Sequence, residues 1–220
     1  MPINCLNGQI PESIFNLSML QILAFDVNNI SGNLPSSIAN GLPDLEELYL
    51  GGNRLSGEIP ASVSNFSKLT IFSLSENSFS GRVPTNLGNL QNLQSLEFQL
   101  NELTNDPSMP ELDFLISLKN CRNLKAIRIG LNSFHGILPK SLGNLSTSVE
   151  SFVAEHCGIK GIIPNEIGNM SNLMELHIGG NELRGTIPDT LGQLRNLQKL
   201  RLDFNKLGES EAFHMKLETH

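Results

Sequence analysis

Apolar residues recur along this chain in one phrase, L-x-x-L-x-L-x-x-N-x-L-x-G-x-I-P. Its clearest copies occupy residues 45–60 and 173–188. Aligned on the asparagine, the anchors are Asn28, Asn53, Asn77, Asn101, Asn132, Cys157, Asn181 and Asn205, at spacings of 25, 24, 24, 31, 25, 24 and 24 residues. A period of this size marks a repeat array. Within each copy L-x-L alternates, so the leucines point inward and the residue between them points out, as strand geometry requires. The pattern predicts strand cores at 23–25, 48–50, 72–74, 96–98, 127–129, 152–154, 176–178 and 200–202. Stacked in sequence order, they form the parallel sheet on the concave face of a right-handed, curved α/β solenoid. A short helical turn such as 87–90 lies on the convex side of each repeat.

The remaining letters of the phrase have physical tasks. The asparagine follows the strand, where its amide can donate to and accept from backbone groups of neighbouring turns that would otherwise be buried unpaired. The eight anchors therefore read as an internal structural ladder. The glycine of G-x-I-P (Gly32, Gly57, Gly81, Gly136, Gly161, Gly185) permits a tight or left-handed turn. The proline after it (Pro35, Pro60, Pro84, Pro139, Pro164, Pro188) stops further strand pairing.

Two departures from the period stand out. The 31-residue gap carries Thr104-Asn105-Asp106-Pro107-Ser108-Met109-Pro110-Glu111 without a G-x-I-P and reads as a surface loop or a ligand-contacting loop. After Leu207 the phrase gives way to a polar tail. Residues 1–207 are thus expected to be about eight repeats, one irregular at 102–126, and residues 208–220 a divergent tail. In the tail, Phe213, Met215 and Leu217 alternate in a weak strand-like pattern.

Composition narrows the classes. Hydrophobic residues make up 39% and charged residues 17% of 220, enough to build a core. The net charge of −7 argues against nucleic acid as a partner. Cys5, Cys121 and Cys157 are far apart, form no CxxC pair and are odd in number, so they read as small buried hydrophobes. No run of about 18 apolar residues predicts a membrane span. The opening Met1-Pro2-Ile3-Asn4-Cys5 does not read as a secretory signal.

The L-x-G-x-I-P phrase, over about residues 6–207, resembles the plant-specific class of leucine-rich repeats. That class occurs in receptor-like Ser/Thr kinase ectodomains and in secreted polygalacturonase-inhibiting proteins. Residues 114–121 after the irregular repeat, then 138–146, resemble the subfamily that contains plant immune receptors. The resemblance implies a signal peptide, a cysteine-paired cap, further repeats, one transmembrane helix and a cytoplasmic kinase. This chain reads as a slice of the repeats only. It carries no Gly-rich loop, V-A-I-K-like lysine or H-R-D motif, and Asp203-Phe204-Asn205 is a strand end and no D-F-G. The resemblance also implies that Cys157 takes a ladder position where cysteine substitutes for asparagine.

A search for chemistry returns nothing that would make the chain an enzyme or give it a cofactor. G-x-S-x-G, P-loop, H-E-x-x-H and EF-hand patterns are missing. Of His135, His156, His177, His214 and His220, only His156 and His177 invite a metal reading. By register His177 aligns with Val153 and His156 with Gly180. The two histidines are then three strand positions apart, roughly 10 Å at ~3.3 Å per residue, too far for one zinc ion. N-x-S/T sequons at Asn16, Asn29, Asn65, Asn144 and Asn169 are candidate glycosylation sites, four of them at one position on the convex turn.

Partner contacts are expected from outward strand residues: Glu46, Glu47, Tyr49, Glu97, Lys125, Arg128, Glu155, His156, Glu175, His177, Lys199 and Arg201. Tyr49, Arg128 and Arg201 are the anchors favoured by residue type. The expected function is a peptide- or protein-binding segment of a receptor-like kinase ectodomain at the outer face of the plasma membrane, acting in defence with a co-receptor. The alternatives are a secreted enzyme inhibitor of the polygalacturonase-inhibitor type, or a truncated product with no activity of its own. As a slice without caps, the chain is expected to expose apolar ends near Leu20, Leu23, Phe25, Leu197, Leu200 and Leu202 and to associate.

Overall fold

The computed structural model describes residues 4–208; Phe213, Met215, Leu217, His214 and His220 lie outside the described residues. Eight short strands form one parallel sheet: Ile22–Ala24, Glu47–Tyr49, Ile71–Ser73, Ser95–Glu97, Ala126–Arg128, Ser151–Val153, Glu175–His177 and Lys199–Arg201. They pair in sequence order, in the manner of a leucine-rich-repeat solenoid. Each strand begins one residue before its expected core, because the pairing starts at the outward residue ahead of the first leucine. The bonding still continues beyond the strand, as Leu50 N–H donates to Ser73 O at 3.0 Å. The register places Val153 beside His177, as the spacing required.

The inward residues fill the core. Leu48, Leu50, Phe72, Leu74, Leu96, Phe98, Ile127 and Ile129 are all completely buried. Burying a side chain of this size stabilises the fold by roughly 1.5–3 kcal/mol. Phe72 and Phe98 meet edge-on with ring centroids 5.0 Å apart, a geometry that aligns positive ring edge with negative ring face.

The asparagines after the strands hold successive turns together. Asn53 donates through Nδ2 to Phe25 O at 2.9 Å and Leu50 O at 3.1 Å, and its Oδ1 accepts Ile30 N–H at 3.0 Å. Asn77, Asn101, Asn132, Asn181 and Asn205 repeat the same pattern one turn on. Asn28 has the acceptor half, taking Leu6 N–H at 3.1 Å, and donates within its own turn. At Cys157 the thiol reaches Ile129 O at 3.2 Å in place of the amide.

Two expectations need correction. The glycines of G-x-I-P sit within paired strands and not in tight turns: Gly32, Gly57, Gly81, Gly161 and Gly185 lie in strands of further parallel sheets. One such sheet joins Asn7–Gln9, Asn29–Asn33, Arg54–Glu58, Ser78–Arg82 and Glu102–Thr104; another joins Lys160–Ile162, Glu182–Gly185 and Lys206–Leu207. Gly32, Gly57, Gly81, Gly161 and Gly185 do have positive φ, but Gly136 does not. Gly136 instead leaves room for Leu112, whose Cδ2 would lie 2.6 Å from an added Cβ.

The irregular gap is also more than a surface loop. It folds into a five-residue helix, Asp113–Ser117, with Phe114 and Leu115 buried. Asn105 occupies the place of the repeat glycine. Its Nδ2 donates to Met109 O and Glu111 O, both at 3.0 Å, which folds the segment back on itself. The insertion separates the two further sheets, and only isolated bridges such as Thr104 to Ser133 cross it.

Candidate ligand-binding face

The outward side of the eight-stranded sheet presents rows of side chains that run across the repeats. The first strand residue of each repeat gives Ile22, Glu47, Ile71, Ser95, Ala126, Ser151, Glu175 and Lys199, and the third gives Ala24, Tyr49, Ser73, Glu97, Arg128, Val153, His177 and Arg201. Glu46 and Lys125 sit one residue earlier, where their carbonyls accept the first N–H groups of the next strand.

Five of the twelve expected residues, Glu97, Arg128, Glu175, His177 and Lys199, converge on one cluster. Arg128 lies between two carboxylates, 3.6 Å from Glu97 and 4.0 Å from Glu175. Glu175 also meets Lys199 at 3.3 Å and His177 Nε2 at 3.5 Å, and accepts the Ser151 hydroxyl at 2.8 Å. The Ser151 bond, then Lys199 and His177, hold the Glu175 carboxyl below its ordinary range, against burial, which raises it. Arg201 is exposed beside His177. Among the described residues, Glu46, Glu47, Glu155 and Arg201 have no salt bridge.

The N-terminal part of the face is acidic. Partial burial, then the neighbouring Glu47 carboxylate and the charges of Glu97 and Asp26, push the Tyr49 phenol upward. Asp26 is raised by burial, and by the charge of Glu97, although its Oδ1 accepts Gly51 N–H at 2.7 Å. Asp26, Ser95 and Ser151 belong to this surface and were not among the expected residues. Their small or acidic side chains carry no signal until the register is known.

A second feature is a column at the residue before each ladder position, of which only His156 was among the expected partner contacts. Val27, Gly52, Glu76, Leu100, Leu131, His156, Gly180 and Phe204 all have φ between 52° and 64°. The two glycines were the available signal for a left-handed backbone there. His156 belongs to this column and leans on Gly180, remote from the Glu175 cluster. No group of three His, Cys, Asp or Glu among the described residues could hold a metal ion.

The sequons lie elsewhere. Asn16, Asn65, Asn144 and Asn169 each end a 3-10 turn and are exposed, while Asn29 opens a strand of the further sheets. Beside the irregular segment, a depression of about 520 Å³ is lined by Asn105, Met109, Pro110, Phe134 and His135. No helix of the described residues is long and apolar enough to cross a membrane.

Residues 4–206 match the family model described as "Leucine-rich repeat region". Over 62 residues, the chain is 44% identical to an Arabidopsis thaliana protein with the name "Probable LRR receptor-like serine/threonine-protein kinase", a match that covers 28% of this chain and 6% of that protein. The crystal structure of PEPR1–AtPEP1 superposes with a TM-score of 0.84 and 36% identity, over 93% of this chain and 28% of that one. The Arabidopsis receptor kinase HAESA, solved with the peptide hormone IDA and the co-receptor SERK1, also gives 0.84, with 30% identity over 93% of this chain and 33% of that one. The chain therefore spans about a third or less of the length of these relatives.

Proposed function

We propose that this chain, which belongs to the leucine-rich-repeat family, is a ligand-recognition segment of a plant receptor-like-kinase ectodomain. It binds a peptide or protein on the outward face of its eight-stranded sheet, at the outer side of the plasma membrane. A co-receptor ectodomain then engages the complex, and a kinase domain of the same receptor carries the signal, in defence. Glycans on the sequons would project from the convex turns and leave the sheet face open. The observation that carries this reading is the Arg128 cluster. Its charges are ordered by mutual contact, and Arg128 and Lys199 remain open to solvent on the outward face of the sheet.

Such a face favours recognition over chemistry. Ordered charges fix the register and steer the encounter of a complementary partner more than they raise affinity. Tyr49, Arg128 and Arg201 are the proposed anchors, because aromatic and Arg side chains carry most binding energy at such surfaces.

The test is to immobilise the 220-residue chain and screen it against synthetic plant-secreted peptides, and in parallel to assay it on a fungal polygalacturonase. Saturable binding of a peptide, weakened about tenfold or more by Tyr49→Ala, Arg128→Ala or Arg201→Ala, supports the reading. Inhibition of the polygalacturonase without peptide binding overturns it.

A further inference from the structure

The left-handed column holds apolar side chains that the fold does not use. Val27 is 60% exposed, Leu100 42% and Leu131 40%, all with φ near 55°. A residue with a Cβ is strained in this region, most of all a branched or bulky one. Gly52 and Gly180 fill the same column without that strain, so the backbone does not require a side chain there. A leucine at such a position is strained and half in water, and adds little to the core. Its apolar surface is available to something outside the chain.

Leu100 and Leu131 are neighbours in the column, on consecutive repeats, since Leu100 N–H and Leu131 N–H take equivalent partners, Gly130 O and Glu155 O, one repeat apart. Together with Asn77, Glu102, Ser133 and His156 they line one open groove. Two residues after the strands beside this groove stand Ser75, Gln99, Gly130 and Glu155, none of them cationic. Glu155 lies against Gly130, where its Cγ would be 3.1 Å from a Cβ at that glycine. Glu76 stands in the column itself. The nearest cation of the sheet, Arg128, is already held by Glu97 and Glu175.

We propose that this groove takes an extended peptide segment that alternates basic and apolar residues. Its apolar side chains rest on Leu100 and Leu131, and its Lys or Arg groups meet the carboxylates of Glu76, Glu102 and Glu155. The occupant is argued from charge: an apolar strip bordered by unpaired carboxylates excludes an acidic segment by like-charge repulsion. An extended chain suits the groove because its side chains project to opposite sides at every second residue. The inference rests on the reading of the chain as a peptide-binding ectodomain and adds the class of ligand.

The test uses the 220-residue chain and three capped pentapeptides as probes: acetyl-Lys-Leu-Lys-Leu-Lys-amide, its Glu-Leu counterpart and its Lys-Ser counterpart. The expected result is that the Lys-Leu probe binds at least tenfold more tightly than either of the others. The double variant Leu100→Gly, Leu131→Gly should keep the parent's thermal midpoint within a few degrees, since glycine fits the left-handed backbone, and should lose at least tenfold of that affinity. Equal binding of the Glu-Leu probe, or unchanged Lys-Leu binding by the variant, overturns the proposal. So does collapse of the variant's thermal midpoint, which would make the leucines structural. If no probe binds but the screen above finds another peptide, the ligand class fails and the receptor reading stands. If the screen also finds none, the receptor reading fails.

Discussion

The side-chain carbonyl of Asn181 accepts the backbone N–H of Cys157 at 2.9 Å and of Ile159 at 3.0 Å, so one asparagine serves two donors of the preceding repeat. Its Nδ2 meanwhile donates to Ala154 O at 2.8 Å and Ile178 O at 3.0 Å. All of these groups are buried or nearly so, and water has no access to replace the amide.

Asn181→Ala therefore strands several backbone groups at once. Each abandoned buried group costs roughly 1–3 kcal/mol, and partial relaxation brings the expected loss to about 3 kcal/mol. Urea unfolding followed by circular dichroism measures it. A loss below about 0.5 kcal/mol, the size of an ordinary surface substitution, would show that the ladder is ornamental.

The converse holds at Cys157. In the other repeats the ladder asparagine accepts an N–H of the preceding turn, as Asn132 accepts Leu103 N–H at 3.0 Å. A sulfur is a poor acceptor, and the equivalent donor, Phe134 N–H, has no hydrogen bond among the described residues. Cys157→Asn supplies the missing acceptor at nearly constant volume. The expected gain is about 1 kcal/mol, the net value of one hydrogen bond, read as a higher urea midpoint at unchanged slope. A lower midpoint would mean that the pocket is shaped for sulfur.

This ladder was legible in the sequence because the asparagine must recur at the period of the backbone groups it serves. The order and register of the eight-stranded sheet followed from the same anchors, down to Val153 beside His177. The further sheets were not legible. Their strands, such as Arg54–Glu58, contain a positive-φ glycine that reads as a turn when taken alone. The helix Asp113–Ser117 was hidden because the gap broke the period and left Phe114 and Leu115 without an anchor. On the outward face of the eight-stranded sheet, register identified residues such as Glu175 and Arg128. It did not identify Ser151, a small side chain that orders Glu175, or the strain at Leu100 and Leu131.

The two buried thiols make a prediction at high pH. Burial pushes Cys121 up to about 11 and Cys157 up to about 12, from 9.0. A raised thiol pKa leaves the folded state with its proton where the unfolded chain has lost it. The stability contributed is thus full below pH 9.0 and is lost as the pH rises toward the folded values. Native protein at pH 8 should react with a disulfide reagent quickly at the exposed Cys5 alone, and at all three cysteines after denaturation. Rapid modification of Cys157 in the native state would contradict its place in the core.

At the acid end the controlling group is Glu175. Its carboxyl is held below 4.5 by the Ser151 hydroxyl first, then by Lys199 and His177. A depressed carboxylate contributes stability that is full above its unfolded pKa and disappears as the pH falls through the folded value. Glu175→Gln removes the charge but keeps the side chain's size. The parent should therefore be more stable than the variant near pH 7, and the difference should shrink steadily below pH 4.5. The same substitution removes the carboxylate charge that Arg128, Lys199 and His177 face, so it also frees positive charge on the outward face of the sheet. Binding of an acidic probe peptide at pH 7 should then rise. A stability difference that is constant from pH 7 to pH 3 would show that Glu175 acts through packing and that its ion pairs add nothing.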